Sequence, residues 1–491
     1  MVNHFRHMKF IVTFLLSGVL SIQSGWSQNY HAIEGSPFAG SLGVANNPAS
    51  ILMAPWRWDV TAFSFQVKGS TNAVTISNYS LLSRVDSSRY AFNNGISARY
   101  INFNFNLHLL NARIALDKRH SIAFGANLRG YAIARTKRFN YDDTLQSIND
   151  FFRINKGLLP FNATVASSSW LELFATYAKT ILNNDIGRLN GGVTVKAMRG
   201  ISGGFVQLKD ASVSEKKVNG QTIYTLNGGV GHYGYSSNYD LWHSNRSTAD
   251  NVKDFVRESR GGLAIDLGAE YLVKTQYVNT YYDPEIYNEY EWKFGISLLD
   301  IGQNTFRYGS QSRVVSNPKS TAVDSALTNK FRDGIKSLTG FNDTVATLVD
   351  NFQSLTGDFK IRNPARLVIN VDKPLPNHFS INANISINLS GSNSGKTLHV
   401  EEMNLVNITP RWEVQRWGVY LPLQYNTEGQ FWVGCAFKAG PLLLGINNLA
   451  NVFTRNSTQN GGGYIAIVIH PKNEYSDKED KRYDCPKEGS R

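Results

Sequence analysis

The stretch Ile101–Leu109, INFNFNLHL, decides the fold. Successive side chains of a β-strand point to opposite faces. Ile101, Phe103, Phe105, Leu107 and Leu109 therefore share one face, and Asn102, Asn104, Asn106 and His108 the other. Asparagine is a poor strand former, and a soluble core gives no reason to line one face of a strand with it. A polar lumen does, and the apolar row on the opposite face then meets lipid.

Two further stretches repeat the pattern. In Phe379–Leu389, FSINANISINL, the residues Phe379, Ile381, Ala383, Ile385, Ile387 and Leu389 alternate with Ser380, Asn382, Asn384, Ser386 and Asn388. In Leu263–Tyr271, LAIDLGAEY, the residues Leu263, Ile265, Leu267 and Tyr271 oppose Asp266 and Glu270. Carboxylates on an inner face are tolerated where water or a counter-charge reaches them. The same reading places strands at about 57–67, 120–134, 165–181, 188–200, 289–300, 364–372, 402–411, 417–425, 430–438, 441–448 and 462–469, roughly 14 in all. The expectation is an all-β fold, a membrane-spanning antiparallel barrel.

The connections are unequal. Asp117–Arg119, Asn183–Gly187, Pro374–Asn377 and Ala439-Gly440 are short, whereas 68–98, 136–164, 202–260 and 302–362 are long and polar. Membrane barrels have short periplasmic turns and longer extracellular loops. A first strand leaving the periplasm near Trp58 puts every long segment outside. Helical spacing occurs in Leu145–Leu159 and in Ala326–Leu355, where Ile335, Leu338, Phe341, Val345, Leu348 and Phe352 recur.

Composition agrees. The 491 residues are 42% hydrophobic with a mean hydropathy of −0.28, too polar for a bundle of apolar spanning helices. Aromatic residues make up 12%, which suits girdles at two membrane interfaces. The net charge of +12 is dispersed rather than gathered in a stripe, so nucleic acid is not an expected partner. Anionic lipopolysaccharide and outer-membrane lipid are. The two cysteines, Cys435 and Cys485, imply neither a disulfide framework nor a zinc site. Cys435 shares parity with Phe431, Val433 and Phe437, which places it toward lipid.

Residues 1–27 read as a signal peptide: Arg6, His7 and Lys9, then the apolar run Phe10–Ile22, then Gly25-Trp26-Ser27 before a cut at Gln28. Export with no second apolar run of spanning length leaves the periplasm, the outside of the cell or the outer membrane, and among these the strand pattern points to the bacterial outer membrane. Residues 28–56 are then a short luminal segment, 57–470 the barrel and 471–491 a polar periplasmic tail.

Catalytic signatures are lacking: there is no His-Glu-x-x-His and no phosphate loop. Gly228–Gly234, GGVGHYG, reads as a loop or as a strand with tight neighbours. His232, His243 and Asp240 are weighed as a metal site against ordinary exposed loop residues. Asp266 and Glu270 are weighed as an acid/base pair against lumen polarity. In both cases the plainer reading is preferred. No catalytic, cofactor or metal residue is assigned, and the chain is not expected to be an enzyme.

One segment carries a family resemblance. Gly35–Trp56 reads GSPFAGSLGVANNPASILMAPW. Gly43 followed by Asn47-Pro48-Ala49, just before the first strand, resembles the N-terminal segment of the FadL-like outer-membrane transport superfamily. It is similar in particular to Bacteroidota relatives, among them barrels that work with the type IX secretion system. Asp300-Ile301-Gly302 and Gly440–Gly445 look like features of an uncharacterised barrel family of that phylum. The resemblance implies a hatch folded into the lumen, with Gly43, Asn46, Asn47, Pro48 and Ala49 as its candidate residues. It also implies hydrophobic ligands passing from an outer groove toward an opening in the wall. Pro48 removes a backbone donor and Gly40 and Gly43 permit tight turns, as irregular backbone inside a barrel requires. Asn46 and Asn47 are expected to bond lumen groups such as Asn104 or Asn384. The chain departs from the family pattern in a shorter hatch and in the charged tail after Ile469-His470.

The leading function is binding or passage of a small hydrophobic compound, which an apolar pocket in a plugged lumen supports. The alternative is a docking barrel for secreted cargo or a secretion machine, which an apolar patch on the outer loops supports. A third, an outer-membrane enzyme, needs a convergent cluster of perturbed titratable groups.

Overall fold

The computed structural model describes residues 31–471 apart from 81–87, 275–289, 333, 336, 394–396 and 454–456. The leader, Cys485 and nearly all of the tail lie outside the described residues.

Fourteen staves close into an antiparallel barrel. They are β1 Trp58–Thr71, β2 Tyr100–Ala115, β3 His120–Thr136, β4 Phe161–Asn183, β5 Gly187–Val218, β6 Arg260–Val273 and β7 Trp292–Arg307. There follow β8 in two pieces, Asp358–Arg362 and Arg366–Pro374, then β9 Phe379–Asn388 and β10 Leu405–Glu413. β11 comprises Trp417–Tyr420 and Leu423–Asn426, and β12 Phe431–Val433 and Cys435–Ala439. β13 Leu442–Ile446 and β14 Asn460–Ile469 complete the ring. Each stave pairs with its neighbour in sequence, and Phe65 of β1 registers with both Leu107 of β2 and Ile465 of β14. Among the described residues no free edge remains in the ring, as a bilayer demands. The broken staves are broken for local reasons. Pro422 cannot donate to a ladder, and its carbonyl instead accepts from Gly434 N at 2.8 Å.

Alternation sorts the two faces as the sequence implied. Asn102, Asn104, Asn106 and His108 are buried inside, while Leu173, Val195, Leu263, Ile296, Phe437 and Leu444 are exposed on the outside. Trp58, Tyr177, Tyr271, Phe294, Phe379 and Trp417 form an exposed aromatic girdle near the short-turn end. Cys435 stays in phase with exposed Phe431 and Phe437, opposite buried Trp432, Ala436 and Lys438.

The connections 72–99, 137–160, 219–259 and 308–357 gather at the other end, which that asymmetry marks as extracellular. There the structure differs from the sequence reading in two places. The segment 202–260 is not mainly loop. β5 runs on to Val218, turns at Asn219-Gly220, both left-handed at φ 50 and 79°, and returns as the strand Gln221–Tyr235. An Asn-Gly pair is the preferred two-residue hairpin turn. Gly228–Gly234 therefore lies in a strand, with a bulge around Gly228. The helical spacing in Ala326–Leu355 also overruns. It resolves into two short helices, Asp324–Lys330 and Leu338–Ala346, and a strand Val349–Ser354 that pairs with Arg313–Pro318. The Ser337 hydroxyl caps the second helix by accepting from Gly340 N at 3.0 Å. The shorter helix expected in 145–159 is Ile148–Asn155, capped by Ser147.

Candidate functional site in the barrel lumen

The lumen is filled, and it is filled in layers. The inner layer is residues 31–56, which run as three short 3₁₀ turns, His31–Ile33, Gly40–Ala45 and Pro48–Leu52. Gly43, Asn46, Asn47, Pro48 and Ala49 are all buried there. Asn47-Pro48-Ala49 presses against wall glycines. A β-carbon at Gly192 of β5 would stand 2.5 Å from the Pro48 carbonyl carbon, and one at Gly268 of β6 2.8 Å from Pro48 Cδ.

The expected partners of Asn46 and Asn47 are not the ones found. Asn47 Nδ2 donates to the Ala269 carbonyl at 3.1 Å, and its Oδ1 accepts from Ala49 N at 2.9 Å. The Asn46 carbonyl accepts from Ser297 Oγ at 2.7 Å. Asn384 bonds Glu34 instead, and neither amide atom of Asn104 has a partner among the described residues. The reason is distance along the barrel: β6 and β7 are the wall that the turn abuts.

Cations of the wall hold the segment by its carbonyls. Arg113 reaches the Ile51 carbonyl at 3.0 Å and that of Trp56, and pairs with Asp59 at 2.5 Å. Arg366 reaches the Ala45 carbonyl at 3.0 Å and pairs with Glu402. Lys293 reaches the Gly35 carbonyl at 2.6 Å, with Glu270 4.0 Å away. Arg411 forks onto Asp372 at 2.8 and 3.0 Å, and Asn382 joins Asp372 at 2.9 Å. Ser36 donates to Glu413 at 2.6 Å.

The middle layer is an ion network centred on Asp300. Asp300 adopts the left-handed φ of 59° at a bulge opposite Ile265–Leu267, which turns its carboxylate inward. It receives Arg129 at 2.6 and 2.8 Å and Lys196 at 2.6 Å, and Lys196 also pairs with Asp266 at 2.7 Å. Asn106 accepts from Arg129 Nε at 3.0 Å. His108 lines the same small cavity, about 30 Å³ in volume, as Asp266, Asp300, Arg129 and Lys196. A second cavity of about 20 Å³ lies against Glu34, Asn46, Asn47 and Glu270. Spaces of this size hold a water or so. Asp266 and Glu270 are each engaged with a different lysine and do not converge as an acid/base pair.

The outer layer is apolar. Tyr131, Ile133, Trp170, Met198, Phe205, Phe306, Phe359 and Ile361 pack together facing inward. Tyr131 stacks on Trp170 with centroids 5.5 Å apart, and Phe359 meets Phe205 and Phe306, each at 5.4 Å. Gly203 lets Phe306 cross to β5, because a β-carbon there would come within 2.6 Å of the ring. Over this layer lies a strap from the β9–β10 connection. Leu398-His399 pair in parallel with Ile361-Arg362, and Val400 is fully buried. Glu401 and Glu402 tie the strap to Arg135 at 2.6 Å and to Arg366. Asn102 Nδ2 donates to the Glu401 carbonyl at 2.9 Å. The apolar space that hydrophobic transport looks for is thus present as a surface but occupied by the chain's own side chains.

The family's sequence profile covers residues 48–447. The chain belongs to the family of unknown function DUF5723. No curated protein matches it. Among solved structures it is similar to a Pseudomonas aeruginosa FadL homologue, at 11% identity and a TM-score of 0.40, over 91% of this chain and 99% of that one. It is also similar to the Ralstonia pickettii toluene transporter TbuX, at 12% identity and a TM-score of 0.38, over 90% and 100%.

Sequence reasoning missed the charged layers. Lys196, Arg129, Arg366, Asp372, Arg411, Glu402 and Glu413 were not singled out, although parity could have found several. Asp372 is in phase with Asn370, and Arg411 with Asn407 and Thr409, all on inner faces. The extracellular candidates do not assemble. Asp240 accepts from Tyr235 Oη at 2.5 Å and from Ser310 N at 2.7 Å. Burial, and then Lys209, lower the His232 pKa. Among the described residues no three His, Cys, Asp or Glu side chains are placed to hold a metal.

Proposed function

We propose that this outer-membrane barrel takes a small hydrophobic compound from outside into the aromatic layer beneath the Leu398–Val400 strap. The observation that carries the reading is the position of that layer. A water-filled barrel interior is polar, yet here Trp170, Phe205, Phe306 and Phe359 line the outer end of the lumen. Residues 35–49 serve as the hatch beneath, and onward passage needs the ion network and hatch to shift. Soaking crystals with 1-bromonaphthalene should give bromine anomalous density between Trp170 and Phe306. Density confined to the lipid face would overturn the reading.

A second reading, docking of secreted cargo or a secretion machine, draws on the sheet that β5 builds outside the barrel. Its outer strand Val349–Ser354 pairs on one side with Arg313–Pro318. A photoreactive residue at Gln353 should then give a discrete protein adduct in cells, which transport alone does not require.

A further inference from the structure

On the outside of β5–β8 a row of cations crowns the apolar band. At about 3.3 Å per residue and the usual barrel tilt, the strand from Leu189, registered with girdle residue Tyr271, climbs about 25 Å to Arg199, the height of a barrel's apolar band. Arg199 is exposed and in phase with lipid-facing Val195. It registers with Gly261 on β6, whose next outward residue, Leu263, is 72% exposed and registers with Gln303. On β7 and β8, Gln303 registers with Arg362, Thr305 with Lys360 and Arg307 with Asp358. Arg199, Arg307, Lys360 and Arg362 thus form one outward patch directly above Leu263 and Ile301. Across strands about 4.8 Å apart, Arg199 and Lys360 sit roughly 14 Å from each other, with the small residues Gly261 and Thr305 between. Among the described residues no carboxylate reaches ion-pair distance of these four cations; Asp358 is the acid registered with them.

A helix overhangs one end of the patch. Thr248–Arg257 is capped by Ser247 and packs beside the turn Ser237–Leu241. Arg199 holds it from below, donating to Ser259 Oγ and, at 3.3 Å, to the Arg257 carbonyl. Tyr239 Oη lies 2.6 Å from Ser202 Oγ. Tyr239, Trp242, Val252 and Val256 remain exposed on this overhang, continuous with the lipid face below. Tyr and Trp favour the level where acyl chains meet headgroups. Arginines at that level with no carboxylate partner among the described residues match phosphate geometry.

We propose that this rim binds the phosphorylated, acylated glycolipid of the outer leaflet, with Arg199, Arg307, Lys360 and Arg362 on its phosphates and Leu263, Ile301 and Val195 against its acyl chains. The test is native mass spectrometry of protein extracted from outer membranes. Wild type should retain glycolipid. Arg199→Glu/Lys360→Glu/Arg362→Glu should retain at least about ten-fold less, while Lys216→Glu/Lys217→Glu, in the distal hairpin, should retain as much as wild type. Delipidated wild type should rebind phosphorylated lipid A and not its dephosphorylated form. Heat-modifiable migration reports insertion of each variant. If the triple variant fails to insert, Arg199→Gln and Lys360→Gln singly should each give a smaller loss. Equal retention in rim and wild-type protein, an equal loss in the hairpin control, or equal rebinding of the dephosphorylated lipid would each overturn the proposal.

Discussion

Below Asp300 the barrel wall meets the N-terminal segment through charges and main-chain carbonyls; above it, Trp170, Phe205, Phe306 and Phe359 meet one another and the strap. The two halves exchange with different partners. A hydrogen bond from a charged donor to a carbonyl is worth about 1.5–3 kcal/mol net, because water can replace either side. The inner half can therefore be undone by water entering the lumen. Apolar contacts have no such substitute, and exposing them costs about 25 cal/mol per Å². The outer half opens at small cost to something apolar. On this comparison the lumen has a water-exchangeable floor and a ligand-exchangeable roof, separated by the Asp300 network.

The largest expected effect breaks the floor. Deleting residues 35–49 should leave an inserted, heat-modifiable barrel whose single-channel conductance rises roughly ten-fold or more, since irregular backbone at membrane depth is what fills the inner lumen. Unchanged conductance would mean that the wall side chains alone close the barrel, and the distinction between floor and wall would disappear.

Next is the divide between the halves. Asp300→Asn removes the negative charge shared by Arg129 and Lys196, both buried. Breaking a buried pair by removing one partner costs about 3–5 kcal/mol. The loss should appear as a lower urea midpoint for unfolding from lipid vesicles. A shift below about 1 kcal/mol would show that water already solvates these groups.

The roof is sharpened by Phe306→Ala. Truncating a buried Phe costs about 3–5 kcal/mol, and the space opened here faces Gly200 and Gly203. An apolar probe such as naphthalene should recover part of that stability by binding the folded state, whereas Asp300→Asn should not respond to it. Recovery in both variants, or in neither, would remove the contrast between the halves.

The barrel was legible because its staves alternate. INFNFNLHL and FSINANISINL could be assigned faces without any neighbour in view. The outer sheet was not legible for the converse reason. Beyond Phe205, β5 leaves the lumen's apolar layer, and its polar run up to Val218 carries no alternation to read. The hatch was legible as irregular apolar backbone, but its partners were not. Asn47 bonds a main-chain carbonyl more than two hundred residues away, at Ala269, and a carbonyl has no residue type to recognise. Asp300 stood in a quoted stretch, yet its inward aim comes from a bulge that sequence spacing hides.

The smallest effect tests which face of β12 meets lipid. Cys435 is half-buried and in phase with Phe431 and Phe437. A maleimide needs a thiolate in water, so in the inserted protein Cys435 should react about a hundred-fold more slowly than a cysteine placed at Asn219, the tip of the outer hairpin. With Cys435 replaced by serine, cysteines at Asn219 and Lys319 should label in intact cells, and failure at both would invert the barrel. The N-terminal segment supplies the control for Cys435. If the thiol faced the lumen beside the N-terminal segment, deleting residues 35–49 would admit water and speed its labelling. If it faces lipid, the same deletion should raise conductance and leave the labelling rate of Cys435 where it was.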